Sequence, residues 1–99
     1  MQIERKGSNE LTIIGNIKSI EDSVEIKKAV DALQQKGAKS ILLRIQDSFS
    51  MTSTVIGHLM KVVNIDKVTI SMVVGDHRLY ELLEELSLVQ PFNVRLIGK

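Results

Sequence analysis

Hydrophobic and polar residues alternate along the chain in segments whose period changes between two and about 3.6 residues, as in strands and helices. Gln2–Lys6 is a weak strand with a single apolar residue, Ile3, and residues 11–14 form a stronger one. Residues 7–9, Gly-Ser-Asn, predict a turn between them, because glycine tolerates positive φ and the two polar side chains bond nearby backbone. The chain is therefore predicted to begin with a β-hairpin.

Three helices and three further strands follow in alternation. The first helix is predicted to begin after Ser19, where Asp22 completes a capping-box pair, and to end at Gly37. The second follows a hydroxyl-rich segment and ends near Asn64, and the third begins after Asp76. The strands between and after them are predicted at residues 41–45, 67–74 and 92–97, the last one following the helix-breaking Pro91.

Apolar residues at helical spacing predict the buried face of each helix. In the second helix, Thr54, His58 and Lys61 are expected on the opposite face, toward solvent. The residues expected to be buried are Ile26, Val30 and Leu33 in the first helix, Val55, Ile56, Leu59, Val62 and Val63 in the second, and Leu79, Leu82, Leu83 and Leu86 in the third.

The element order β-β-α-β-α-β-α-β predicts the fold class. Strands linked by helices form parallel sheets, and the initial hairpin adds an antiparallel pair. We therefore expect one α/β domain over residues 1–99, with a small mixed sheet and helices packed mainly on one face. The length and the 43% hydrophobic share suffice for one core.

The amino-acid composition of the chain limits the kinds of function that we expect. The chain has no cysteine, which fits a reducing compartment, and its net charge of +1 gives no electrostatic reason to bind nucleic acid. Its first residues lack the apolar core of a signal peptide, and no stretch approaches 18 consecutive apolar residues. We expect a cytoplasmic protein that does not insert into membranes.

The residues that carry most enzyme chemistry are scattered. His58 and His77 lie on different predicted helices without cysteine or carboxylate at ligand spacing, so both are expected to be surface histidines rather than metal ligands. No glycine-rich phosphate loop occurs, and no serine has the surroundings of an activated nucleophile. We expect no enzyme activity and no cofactor. The acidic side chains of the third helix, interpreted as a solvated face, are Glu81, Glu84 and Glu85.

Four hydroxyls, those of Ser50, Thr52, Ser53 and Thr54, lie between the central strand and the second helix. One interpretation is structural, since a hydroxyl at a helix start caps unpaired backbone N–H groups. The other is regulatory, since one cap needs one hydroxyl, and a phosphate adds about −1.5 to −2 charge where the helix dipole favours it. Spacing alone leaves both open.

Three segments resemble the STAS family of anti-sigma factor antagonists and transporter domains. Residues 13–18 resemble a strand that ends at glycine, residues 41–57 resemble the central strand with its Asp-Ser-Ser-Gly-Leu-Gly loop, and residues 82–88 with Phe92 resemble the closing helix and strand. The resemblance covers about residues 3–96. It implies a protein that binds an anti-sigma factor with serine kinase activity, until phosphorylation of the second loop serine undoes the binding.

Several positions depart from the family pattern. Thr52 replaces the loop's aspartate, Ser53 and Thr54 replace its two serines, and Val55 replaces its first glycine, while Gly57 keeps the second. Thr54 thus keeps a hydroxyl at the phosphoacceptor position, and Ser53 is the alternative acceptor. β-Branched Val55 is expected to crowd the backbone there. At two other positions the family has acidic residues, and this chain has the basic residues Arg44 and Lys18.

The resemblance also implies the surface to which a partner binds. Because that surface is basic, we expect the partner's surface to be acidic or to carry phosphate. The leading hypothesis is a non-enzymatic interaction module of the antagonist type. The alternatives are an accessory subunit that binds the cytosolic ATPase of a membrane lipid transporter, and a nucleotide-binding STAS protein. The candidate partner-binding residues are Lys18, Thr52, Ser53, Thr54, Gly57, His58 and Lys61.

Overall fold

A computed structural model describes residues 1–97 of the chain. Five strands form one sheet in the order β1-β2-β3-β4-β5. β1 is antiparallel to β2, and each later pair of neighbours is parallel. The predicted fold class, a single α/β domain with a mixed sheet, is confirmed. The elements are β1 (Gln2–Lys6), β2 (Glu10–Ile14), α1 (Ile20–Gln35), β3 (Ser40–Ile45), α2 (Ser53–Asn64), β4 (Thr69–Val74), α3 (His77–Glu85) and β5 (Val94–Leu96).

The three helices cover one face of the sheet. Each strand pairs with the next in sequence. Because connections between parallel strands are almost always right-handed, a sequential order puts every helix on the same side. The burial of β3 alternates accordingly: Ile41, Leu43 and Ile45 are buried under the helices, whereas Leu42 and Arg44 face the other side. On that open face, Arg44 Nε donates to Glu10 Oε2 at 2.7 Å.

The predicted helix ends are confirmed by their hydrogen bonds. Ser19 Oγ accepts from the backbone N–H of Asp22, whose carboxylate accepts in return from the N–H of Ser19. Asp76 caps α3 by accepting from the N–H of Arg78. Gly37 follows α1 with φ of +96°, a left-handed conformation that ends helices without strain.

Two strand predictions were too long. β4 begins at Thr69 because Lys67 is left-handed, with φ of +60°, and the N–H of Val68 bonds back to the carbonyl of Val62 at the end of α2. β5 is only three residues long because Phe92 still bonds to the preceding turn and Asn93 has φ of +49°. In both cases a turn includes a residue, Val68 or Phe92, whose side chain favours strands.

One predicted core residue was wrong. Leu86 is 49% exposed because α3 ends at Glu85 and Leu86 is its C-cap, beyond the buried stripe of Leu79 and Leu83.

Residues 1–97 include no helix that is both long and apolar enough to span a bilayer.

Candidate functional site

The loop between β3 and α2 is fixed to the loop that follows β2. Because β2 and β3 are parallel neighbours, their carboxyl ends lie at the same edge of the sheet. Asp47 Oδ1 accepts from the backbone N–H of Gly15 at 2.7 Å, and Asn16 Oδ1 accepts from the N–H of Phe49 at 3.2 Å. Two polar loops thus satisfy each other's backbone groups and form one surface at this edge.

Ser48 lies at the centre of these contacts and is fully buried. Its Oγ donates to the carbonyl of Ser50 at 2.6 Å and accepts from the N–H of Ile17 at 3.0 Å. Ser50 Oγ in turn donates to the carbonyl of Ile17 at 3.3 Å. Sequence reasoning missed Ser48 and Asp47, although polar residues directly after a buried strand are a signal for such a role.

Thr52 is the N-cap of α2. Its Oγ1 accepts from the N–H of Val55 at 3.2 Å and lies 2.7 Å from Ser23 Oγ on α1. Ser23 Oγ donates to the carbonyl of Ser19 at 3.1 Å, so the Thr52 hydroxyl donates to Ser23. Of the four hydroxyls, those of Ser50 and Thr52 therefore hold the fold together.

Ser53 and Thr54 are different. Both are exposed in the first turn of α2, and within residues 1–97 neither hydroxyl makes a hydrogen bond. The first turn also contains no acidic residue, so the positive end of the helix dipole is not offset by a side-chain charge there. Val55, expected to crowd the backbone, points into the core and leaves both hydroxyls open.

His58 contradicts its prediction. Its side chain is only 9% exposed and faces α1, where Nε2 lies 3.3 Å from Asp31 Oδ1. Nε2 is buried and makes no aligned hydrogen bond in the described part of the chain. The expectation of a solvent-facing histidine was wrong, because α1 packs beside α2 and covers that side of it. His77, by contrast, is exposed as predicted.

The two candidate lysines are exposed at opposite ends of the region. Lys18 lies just before α1, where its backbone N–H donates to Asp22 and lowers the pKa of that carboxyl. Lys61 is about 10 Å along α2 from Thr54 and bonds Asp66 at 3.2 Å. Hydrogen bonds from Gln34 and then from Lys61 lower the pKa of Asp66. Arg44 is on the open face of the sheet, away from this site.

Gly57 has no structural requirement within the chain. It lies in the interior of α2, exposed, with a helical φ, and a Cβ added there would meet no atom of residues 1–97 within 4 Å apart from the adjacent backbone of α2. Glycine in a helix interior costs about 1 kcal/mol relative to alanine. Gly75 shows the contrast, since its Cβ would meet the carbonyl oxygen of Gln46. The other glycines among residues 1–97 have positive φ.

Large apolar side chains are exposed around the two free hydroxyls. Ile20 and Val24, one turn apart on α1, are 81% and 42% exposed and flank Ser23, the contact of Thr52. Phe49, on the adjoining loop, is 45% exposed under the guanidinium of Arg78, which lies 4.7 Å from the ring centre. Exposed apolar groups next to polar ones are typical of protein-binding surfaces.

Charge at this edge is partly fixed by Asp76. Hydrogen bonds from the side chain and the backbone N–H of Arg78 lower the pKa of Asp76 to about 2. The same carboxylate raises the pKa of the Arg78 guanidinium. Residues 1–97 contain no group of three or more side chains placed to hold a metal ion.

Comparison of the chain with protein-family models, with curated proteins and with solved structures gave no match.

Proposed function

We propose that this chain is a non-enzymatic protein-interaction module of the kind found in STAS-type anti-sigma factor antagonists. A partner binds at the start of α2, over Ser53, Thr54 and Gly57, with Lys18 at its margin. The chain itself performs no chemistry. It acts by binding to the surface of its partner and by dissociating from it.

Gly57 is the observation that carries this proposal. A residue that lowers helix stability, fills no tight space and needs no special φ is explained if another molecule approaches the α2 backbone there. The exposed hydroxyls of Ser53 and Thr54 lie one turn earlier on the same side. Apolar Ile20 and Val24 beside them add area that a partner can bury.

Phosphorylation of Thr54 or Ser53 is the proposed regulation. Neither hydroxyl is needed for the cap, which Thr52 supplies, so a phosphate on either leaves the domain folded. The added charge of about −1.5 to −2 is compatible with the helix N-terminus. It would stand where the partner packs, and would therefore weaken the complex by bulk and by desolvation.

Site-specific photo-crosslinking in cells tests the docking surface. A photoreactive amino acid at Thr54 should trap one protein, and the same group at Glu85, exposed on α3, is the matched control. Mass spectrometry of the trapped protein separates a kinase-like anti-sigma factor from a transporter ATPase. Equal products from both positions, or none from position 54, would reject the proposal.

The regulation has its own test. The protein is incubated with the trapped kinase and ATP, and the phosphorylated residue is mapped by mass spectrometry. We expect label on Thr54 or Ser53 and weaker binding of Thr54→Glu. If neither residue is labelled and Thr54→Glu binds normally, the module is a constitutive binder. Titration with ATP and GTP, with no saturable binding expected, tests the nucleotide-binding alternative.

A further inference from the structure

The outer sides of α1 and α2 form one continuous surface beyond the start of α2. Contacts between Ser23 and Thr52, Asp31 and His58, and Gln34 and Asp66 run along the pair, so the helices lie side by side for most of their length. Both precede strands that are parallel to each other, so the helices point the same way. We call this surface the α1–α2 face; its residues are Ile20, Val24 and Lys27 on α1 and Thr54, Gly57 and Lys61 on α2.

The face is apolar at the end near the helix N-termini. Ile20, Val24 and Lys27 follow each other at i, i+4 and i+7, so they form one stripe along α1. The two apolar members are exposed to solvent at 81% and 42%. A stripe of this spacing is matched by another helix that presents apolar residues one turn apart.

The middle of the face allows close approach. At Gly57 the α2 backbone carries no side chain, and no atom of residues 1–97 outside the adjacent helix backbone lies within 4 Å of the position that a Cβ would take. Helices pack with axes about 8–10 Å apart, and the shorter separations need small residues at the crossing point. Gly57 lies about one turn from Thr54 and provides such a point.

One charged side chain on the face, Lys27, contacts no other charged group in the described structure. Lys27 forms no ion pair within residues 1–97, whereas Lys61 is held by Asp66. Asp31, next on the α1 stripe, is 50% exposed, and its carboxylate lies against the His58 imidazole, which is charged only when protonated. A partner that follows the stripe from Val24 toward Lys27 therefore meets a positive charge, and an acidic side chain complements it.

We infer that the α1–α2 face receives an amphipathic α-helix of the partner. The partner helix places two apolar residues, one turn apart, over Ile20 and Val24, passes closest at Gly57, and sets an acidic residue against Lys27. This inference rests on the proposed docking function and specifies the secondary structure and charge of what docks. A partner that inserted an extended loop at Thr54 would satisfy the proposed function and not this one.

A library of stapled 18-residue helical peptides, displayed on phage and selected for binding to the 99-residue chain, tests the inference. We expect enriched sequences with apolar residues at i and i+4 and Asp or Glu one to two turns further on. The selected peptides should bind Gly57→Leu at least tenfold more weakly, because the added side chain occupies the crossing point. Gly57→Leu is placed in open space on a helix, so circular dichroism should show an intact fold.

A charge exchange adds the decisive control. Lys27→Glu should weaken the peptide at least fivefold, and changing the acidic residue of the peptide to lysine should restore binding. Lys36→Glu, exposed at the far end of α1, should leave binding unchanged. A lack of enriched helices, enrichment of basic ones, or undiminished binding to Gly57→Leu would each overturn the helix inference. Crosslinking at Thr54 would still decide the proposed function separately.

Discussion

Thr52 Oγ1 and Ser23 Oγ lie 2.7 Å apart, and this hydroxyl pair joins the start of α2 to the first turns of α1. Each hydroxyl also bonds to backbone: Thr52 Oγ1 accepts a hydrogen bond from the N–H of Val55, and Ser23 Oγ donates one to the carbonyl of Ser19. The N-cap of one helix is thereby oriented by the other. This partly buried contact therefore helps to fix the position of the exposed turn that contains Ser53 and Thr54.

Thr52→Val should therefore destabilise the domain. The substitution removes both the cap and the donor to Ser23 while keeping the side-chain shape, so we expect the free energy of unfolding to fall by about 1–2 kcal/mol. Urea denaturation measures the change. Thr52→Ser retains the hydroxyl and should stay within about 0.5 kcal/mol of the unmodified chain. A Thr52→Val variant as stable as the unmodified chain would show that the hydroxyl does not contribute.

Ser48→Ala should have a comparable effect through the loop. The variant leaves the N–H of Ile17 without its buried acceptor, and burial of an unpaired group costs about 1–3 kcal/mol. Thermal melting should register the loss. Ser53→Ala is the matched control, because its hydroxyl makes no hydrogen bond within residues 1–97 and its removal should leave the melting temperature unchanged.

Gly57→Ala should stabilise the chain and weaken its complex. Replacement of an exposed helical glycine raises the free energy of unfolding by about 1 kcal/mol. The added methyl group meets nothing in the free protein but occupies the proposed contact. Gly75→Ala is the opposite control and should destabilise, since its Cβ collides with the carbonyl oxygen of Gln46. A stabilised Gly57→Ala variant that binds the crosslinked partner normally would remove the main support for docking at α2.

His58→Leu should not destabilise the domain at pH 7. The imidazole Nε2 is buried without an aligned hydrogen bond, and an apolar side chain at that position removes the desolvation cost of the nitrogen. We expect the free energy of unfolding to stay level or to rise by about 0.5–1 kcal/mol in urea titrations. Leu59→Ala, a true core truncation, should lose about 2–5 kcal/mol in the same assay. A large loss in His58→Leu would mean that the imidazole and Asp31 attract each other strongly.

Asp76 should contribute to stability at neutral pH and lose that contribution in acid. Its pKa in the folded chain is about 2, below the usual value of 3.8, so the folded state holds the proton less tightly than the unfolded state. The contribution is therefore complete above about pH 4 and disappears as the pH falls toward 2. Asp76→Asn keeps an N-cap side chain but not the charge. Unfolding free energies of the two proteins should differ at pH 6 and converge near pH 2; a constant difference would assign the effect to the cap alone.

Local chemistry was enough to predict the elements and their caps. Ser19 with Asp22, Gly37 and Asp76 each act within one helix turn, so the sequence alone places them. The alternation of strands and helices likewise predicted the mixed sheet. The strand predictions were too long because Val68 and Phe92, which favour strands, belong to turns in which Lys67 and Asn93 are left-handed.

The site was less predictable because its contacts cross between elements. Periodicity along α2 marks His58 as polar and outward, but only the packing of α1 shows that its side chain is covered. The division of the hydroxyls into bonded and free ones depends on Ser23 and Ile17, about 30 residues away in the chain. No spacing rule within residues 46–54 contains that information.

The strictly sequential strand order has a consequence for how the domain is made. Among residues 1–97 no strand lies between two earlier ones, so each new strand adds to an edge that already exists. The site at the start of α2 draws only on segments up to the middle of the chain, apart from the stacking of Arg78 on Phe49. Its hydrogen bonds can therefore form before β4, α3 and β5 join the sheet.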